Sequence, residues 1–188
     1  DYRAFFGPLA KWATEIDNAE RIPEVVSRAW RLALSGRPGP VVIGLPEDML
    51  TTQTSVQPCQ PIEVAEAGVD LTQTEALEGI LNEAERPIIL IGGGGWRGVG
   101  KSALQKFTEL HNFPVSAIFR YHDLIDNNSP VYVGDAGVGM AVHLVEMIKN
   151  SDVILAINAR LGEAATQSWS LLEAPYPRQK LIHVHASD

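Results

Sequence analysis

IGGGGWRGVGKSAL, Ile91 to Leu104, stands behind the apolar run Pro87-Ile-Ile-Leu-Ile91 and ahead of a segment with helical spacing. Together these pieces read as a buried strand, a glycine turn and a helix. Glycine lets such a turn bend sharply and bring backbone N–H groups close to an anion, and the helix behind it adds free N–H groups and a positive dipole end. Two phosphate-binding spacings overlap here. Gly95-x-x-x-x-Gly100-Lys101-Ser102 fits the pattern of phosphate-loop nucleoside triphosphatases, in which Lys101 would reach the terminal phosphates and Ser102 would hold magnesium. Gly93-x-Gly95-x-x-Gly98 fits the dinucleotide fingerprint.

Neither spacing decides by itself. Six of the nine residues from Gly92 to Gly100 are glycine, a composition in which glycine patterns match easily. A triphosphatase also needs an acidic metal partner at the end of another strand. The strand-like DVILAIN ends in Asn158, its Asp152 stands at the opposite end, and Asp188 comes three residues past LIHVH. The fingerprint wants an acid about 20 residues on, at the end of the second strand. There the chain reads Phe119-Arg120-Tyr121-His122-Asp123, so Asp123 comes late and Arg120 hints at a phosphorylated ribose. The third reading is a turn that only joins strand to helix.

Outward from the loop, helices and strands alternate. Helices are expected at 74–84, 99–111 and 138–150, and strands at 88–91, 114–118, 152–158 and 181–185. This alternation predicts an α/β fold: a parallel, Rossmann-like sheet with helices on both faces. Upstream, RIPEVVSRAWRLALS places Ile22, Val25, Val26, Ala29, Leu32 and Ala33 on one helical stripe, stopped by Gly36 and Pro38. Pro40 to Pro46 follows as a short strand. TTQTSVQPCQPIEVAEAGVD, residues 51–70, has no lysine or arginine and little periodicity, so it reads as a linker between two domains.

The 188 residues carry a net charge of −8, which disfavours nucleic acid or an anionic membrane as partner. No apolar run is long enough to span a bilayer. The single cysteine, Cys59, excludes an internal disulfide and suits a reducing, cytoplasmic setting. Asp1 is not a natural start, so the chain is expected to be part of something longer.

Several stretches, taken in order, carry a resemblance. SGRPGPVVIGLPEDML (35–50), ERPIILIGGGG (85–95), HNFPVSAI (111–118), SDVILAINARLGEAAT (151–166) and KLIHVHASD (180–188) resemble successive segments of thiamine-diphosphate-dependent enzymes of the acetolactate synthase and 2-oxoacid decarboxylase superfamily. The resemblance implies that residues 1–50 end a pyrimidine-binding domain as a helix-strand remnant, that 51–70 are a linker, and that 71–188 are most of a central domain. It implies a parent enzyme, a transferase or lyase, that uses thiamine diphosphate and Mg2+ on small 2-oxoacids and assembles as a homodimer or homotetramer. Both of those sites would lie outside this chain, leaving the fragment alone inactive and architectural. Similar central domains hold FAD, hold ADP or stand empty. The implied contacts are Gly93, Gly94 and Gly95, with Arg160 for phosphate oxygens and His185 nearby. The chain departs from the flavin pattern at Ala159-Arg160-Leu161-Gly162-Glu163, which lacks a second arginine, and at His183-Val184-His185. The triphosphatase and a non-catalytic nucleotide-binding module remain the alternatives.

Other residues have plainer readings. His183 and His185 project to one face of a strand, two ligands short of a metal site. Trp96 and Trp169 are expected to pack, Asp135 to lie in a turn between Gly134 and Gly137, and Ser168 lacks a nucleophile-elbow framework.

Overall fold

The computed structural model describes residues 1–65, 68–96 and 98–186. They divide into two compact units, and along the chain the division falls between Gly68 and Val69.

In the first unit, helix α1 (Tyr2–Phe6) is capped by the Asp1 carboxylate, which accepts from the N–H groups of Arg3 and Ala4. Strand β1 (Trp12–Glu15) pairs in parallel with β2 (Val41–Gly44), and helix α2 (Ile22–Leu34) connects them. Lys11 fixes the return, its ammonium donating to the carbonyls of Ser35 and Arg37. The Arg28 guanidinium lies 4.7 Å above the Trp12 ring. The expected stripe on α2 is only partly covered: Val25 and Ala29 are buried, whereas Val26 is exposed, as is Trp30. Short helix α3 (Glu47–Thr51) closes the element series, and the described residues from Thr52 to Asp70 form no helix or strand. The sequence reading anticipates α2 and β2 but not α1, β1 or α3.

The second unit begins at helix α4 (Leu71–Glu83), three residues before its expected start, because the Asp70 carboxylate caps the N–H groups of Thr72 and Gln73. Then follow β3 (Pro87–Ile91), α5 (Gly98–His111), β4 (Val115–Ile118), β5 (Tyr132–Ala136), α6 (Val142–Asn150), β6 (Val153–Ile157) and β7 (Lys180–Val184). All five strands are parallel, in the order β5-β4-β3-β6-β7. This is the expected α/β fold. β7 pairs on one side only among the described residues, and its Leu181 and Val184 are exposed.

One expectation is corrected here. Asp135 lies inside β5, not in a turn. Gly134 takes φ +117° next to a register shift between Val115 and Ser116 of β4, so turn-like residues serve an irregular strand.

Side chains of the central strands alternate between two buried faces. Ile88, Leu90, Ile154 and Ala156 pack beneath α6, with Leu144 and Ile148, and beneath the crossover residues Ala159, Ala165 and Leu171. Ile89, Ile91, Val115, Ala117, Val153 and Leu155 pack with Leu81 of α4 and Leu104 of α5. Helical cover on both sides explains why these strands read as continuous apolar runs.

Asp152 fastens the amino end of the sheet. Its carboxylate accepts from the N–H groups of Glu85 at 2.7 Å and Arg86 at 3.0 Å. Burial pushes this carboxyl up, but those N–H groups, with those of Asp152 itself and Val153, hold it below its ordinary value. A depressed folded value gives stability that is full above the unfolded pKa of about 3.9 and is lost as pH falls through the folded one. Asp152→Asn should therefore cost about 1 kcal/mol near neutrality, a small figure because the site is solvated. Unfolding measured from about pH 5 down to pH 2 should show the two proteins converging at the acid end.

Candidate functional site at the sheet switch point

From β3 the chain adds β4 and β5 on one side, then returns to add β6 and β7 on the other. The direction of winding thus reverses between β3 and β6. In open α/β sheets the crevice outside the carboxyl ends of the strands at such a reversal is where ligands bind. The loops that flank it here are Gly92–Gly95 after β3 and Asn158–Arg160 after β6.

The two loops are laced together. The Gly92 N–H donates to the Ile157 carbonyl at 3.1 Å, and the Asn158 N–H to the Val184 carbonyl at 2.8 Å. The Asn158 side-chain amide reaches the Gly94 carbonyl at 3.5 Å, and the Trp96 indole N–H donates to the Gly92 carbonyl at 2.8 Å. Gly92 and Gly93 are glycine because nothing larger fits. A Cβ at Gly92 would strike the Ile118 side chain, and one at Gly93, where φ is +65°, would lie 2.5 Å from the Asn158 carbonyl oxygen. Gly94 and Gly95 differ, since a Cβ at either meets nothing within 4 Å. The loop has a packed root and an open tip.

Of the expected contacts, Gly93, Gly94 and Gly95 lie in the loop after β3 and Arg160 in the loop after β6. Arg160 is exposed and has no ion-pair partner among the described residues. His185 sits one step away: its ring lies 5.1 Å from that of His183, whose Nε2 is 2.8 Å from the Ala159 carbonyl oxygen. Asn158 (φ +51°) and Trp96 complete the frame, and the sequence reading does not assign them to the site. An asparagine just past an apolar strand is the one local signal, since it tolerates the left-handed conformation.

The triphosphatase parts are placed otherwise. Helix α5 already begins at Gly98, so Gly100 and Lys101 of the pattern are helical. The Lys101 ammonium pairs with the Asp123 carboxylate at 3.0 Å and with the Asp123 carbonyl at 3.2 Å. The Ser102 hydroxyl donates to the Val99 carbonyl. Asp152 lies at the far end of the sheet, and Asp188 lies outside the described residues. Trp96 packs against the core as expected, but Trp169 is 63% exposed, raised on a turn where Gln167, Ser168 and Trp169 all have positive φ.

A second group of side chains stands at the carboxyl ends of β4 and β5. One oxygen of Asp135 is buried without a hydrogen bond, 3.9 Å from Nδ1 of His122. Burial, and then the charge of Asp135, pushes the Tyr132 hydroxyl up. Among the described residues no group of three or more His, Cys, Asp or Glu side chains is disposed to hold a metal ion. No described helix is long and apolar enough to cross a membrane.

The chain is similar to several known proteins along most of its length. The chain is 29% identical over 187 residues to a glyoxylate carboligase of Escherichia coli O157:H7, covering 98% of this chain and 31% of the relative. It is 26% identical over 183 residues to an acetolactate synthase large subunit of Parasynechococcus marenigrum, covering 94% and 29%. A Corynebacterium glutamicum acetolactate synthase large subunit is 26% identical over 191 residues, with 97% and 29% covered. The chain thus spans about a third of the length of the curated relatives it matches. The profile of the family described as "Thiamine pyrophosphate enzyme, central domain" matches residues 74–188, more than half of the chain. The chain belongs to the thiamine pyrophosphate enzymes and carries their central domain.

Proposed function

We propose that this chain is the architectural middle of a thiamine-diphosphate- and magnesium-dependent enzyme that decarboxylates or joins 2-oxoacids, and that its switch-point crevice holds the diphosphate of an adenine nucleotide. ADP and FAD belong to that ligand class. In this reading residues 1–50 end the pyrimidine-binding domain, 51–70 link, and 71–188 are the central domain of a cytoplasmic homo-oligomer. Relatives named acetolactate synthase and glyoxylate carboligase support the reaction class. In this reading the carbanion chemistry that thiamine diphosphate supplies belongs to parts of the enzyme beyond this chain.

One observation carries the nucleotide reading. The open tip, Gly94 and Gly95, and the exposed Arg160, which has no ion-pair partner among the described residues, stand on the two loops that flank the reversal point. Backbone N–H groups at the tip and a bidentate guanidinium suit a diphosphate. Calorimetric titration of the protein with ADP and FAD tests this. Binding should need no magnesium. Arg160→Ala should weaken it about 10-fold or more, as loss of a charge-assisted pair does. Lys101→Ala should leave it unchanged, because that ammonium belongs to Asp123. Loss of binding in Lys101→Ala, with a magnesium requirement, would favour a triphosphatase instead.

A further inference from the structure

The first unit holds a concave site of its own, a cavity of about 290 Å³ bordered by α1, β1 and the first turns of α2. Three arginines line it: Arg3 of α1, Arg21 at the start of α2, and Arg28 further along α2. Only Arg21 is matched with carboxylates. Its guanidinium donates to Glu24 at 3.0 Å and lies 3.8 Å from Asp17. The Arg21 hydrogen bond, and then its charge, hold the Glu24 carboxyl below its ordinary value, and Arg28 contributes least to that lowering. Glu15 is the remaining acid. Strand alternation directs its side chain to the other face of β1, where it lies against Gly44.

Arg3 and Arg28 are left without a carboxylate. Both are exposed, and neither has an ion-pair partner among the described residues. They are nonetheless set in place along β1. The Arg28 guanidinium lies 4.7 Å above the Trp12 ring, and an Nη of Arg3 lies 3.5 Å from the Thr14 hydroxyl oxygen. Trp12 and Thr14 alternate to the same face, about 7 Å apart along the strand. Stacking engages the flat face of a guanidinium and leaves the N–H donors at its edge free. On this side of β1 three guanidiniums therefore meet two carboxylates, Asp17 and Glu24, both spent on Arg21. One positive charge is in excess, and two donor forks border the cavity unfilled.

We infer that this cavity is an anion-binding site in which Arg3 and Arg28 together hold a small dianion, a phosphate or a dicarboxylate. Such a ligand has enough oxygens to accept from both forks, and guanidinium forks match the geometry of carboxylate and phosphate alike. The site is built wholly from residues of the first unit, so it does not rest on the nucleotide reading of the crevice in the second.

Calorimetric titration of the protein with inorganic phosphate and with succinate, at constant ionic strength, tests this. At least one of the two should bind saturably, one per chain, and the tighter of them tells phosphate from dicarboxylate. Arg3→Gln and Arg28→Gln should each weaken that binding about 10-fold or more, the loss of one charge-assisted pair. Arg28→Gln also removes the stack on Trp12, so its melting temperature is measured alongside. Arg3→Gln alters only an exposed side chain and keeps the test decisive if the other variant unfolds. Arg160→Ala, in the second unit, should leave the binding unchanged. The inference is overturned if neither anion binds saturably, if binding survives Arg3→Gln, or if it is lost in Arg160→Ala.

Discussion

Alanine at position 93 is expected to destabilise the second unit by about 3 kcal/mol and to abolish the nucleotide binding proposed above. Two effects add. A non-glycine residue at φ +65° costs about 1–2 kcal/mol. The new Cβ then meets the Asn158 carbonyl oxygen, a backbone atom that cannot step aside unless the β6 loop moves with it. Such overpacking typically costs about 1–3 kcal/mol. The displaced residues lead straight into Arg160, so the site is lost along with the stability. Gly94→Ala is the control. Its φ is not left-handed and its Cβ would find open space, so stability should change by less than about 0.5 kcal/mol. Urea titrations of the three proteins decide it. Equal midpoints for Gly93→Ala and the parent would mean that the loop root is not packed as described.

Ile154→Ala should cost about 4 kcal/mol. The side chain is fully buried in the middle of the sheet, beside Ile88 and under Leu144 and Ile148 of α6. Losing so large a buried group removes transfer energy and leaves a cavity that strands paired on both sides cannot close, which places the cost in the upper part of the range of about 2–5 kcal/mol. Leu181→Ala on β7 removes a similar group from a strand that is open on one side, where the residue is 36% exposed. It should cost about 1 kcal/mol. A ratio near one between the two losses would contradict the assigned strand order.

The central strands were legible because burial on both faces forces uninterrupted apolar runs such as Pro87–Ile91 and Val153–Ile157. β5 escaped because Gly134 and Asp135 look like turn residues, and only pairing with β4 makes them a strand. The crossover from β6 to β7 forms no helix. Its left-handed run at 167–169 is held by the Thr166 hydroxyl, which accepts from the Trp169 N–H, and by main-chain bonds that no propensity reports. The site divides in the same way. Glycine's freedom is a local property, so Gly93 and Gly95 stand out by spacing, whereas Gly94 and Arg160 enter only through the family resemblance. That Lys101 meets Asp123, or that Asn158 props Gly94, depends on which strand ends adjoin, and that is a property of topology.

The side of β7 that has no partner strand among the described residues has a consequence for how such molecules meet one another. A strand with one free row of N–H and C=O groups is a template on which another chain can add a strand. On β7 this row runs from Lys180 at the start through Leu181, Ile182, His183 and Val184, with His185 just beyond the far end. Charge at one end and imidazole toward the other make the edge a poor seed for indiscriminate stacking, yet leave it competent to take one further strand that matches its pattern.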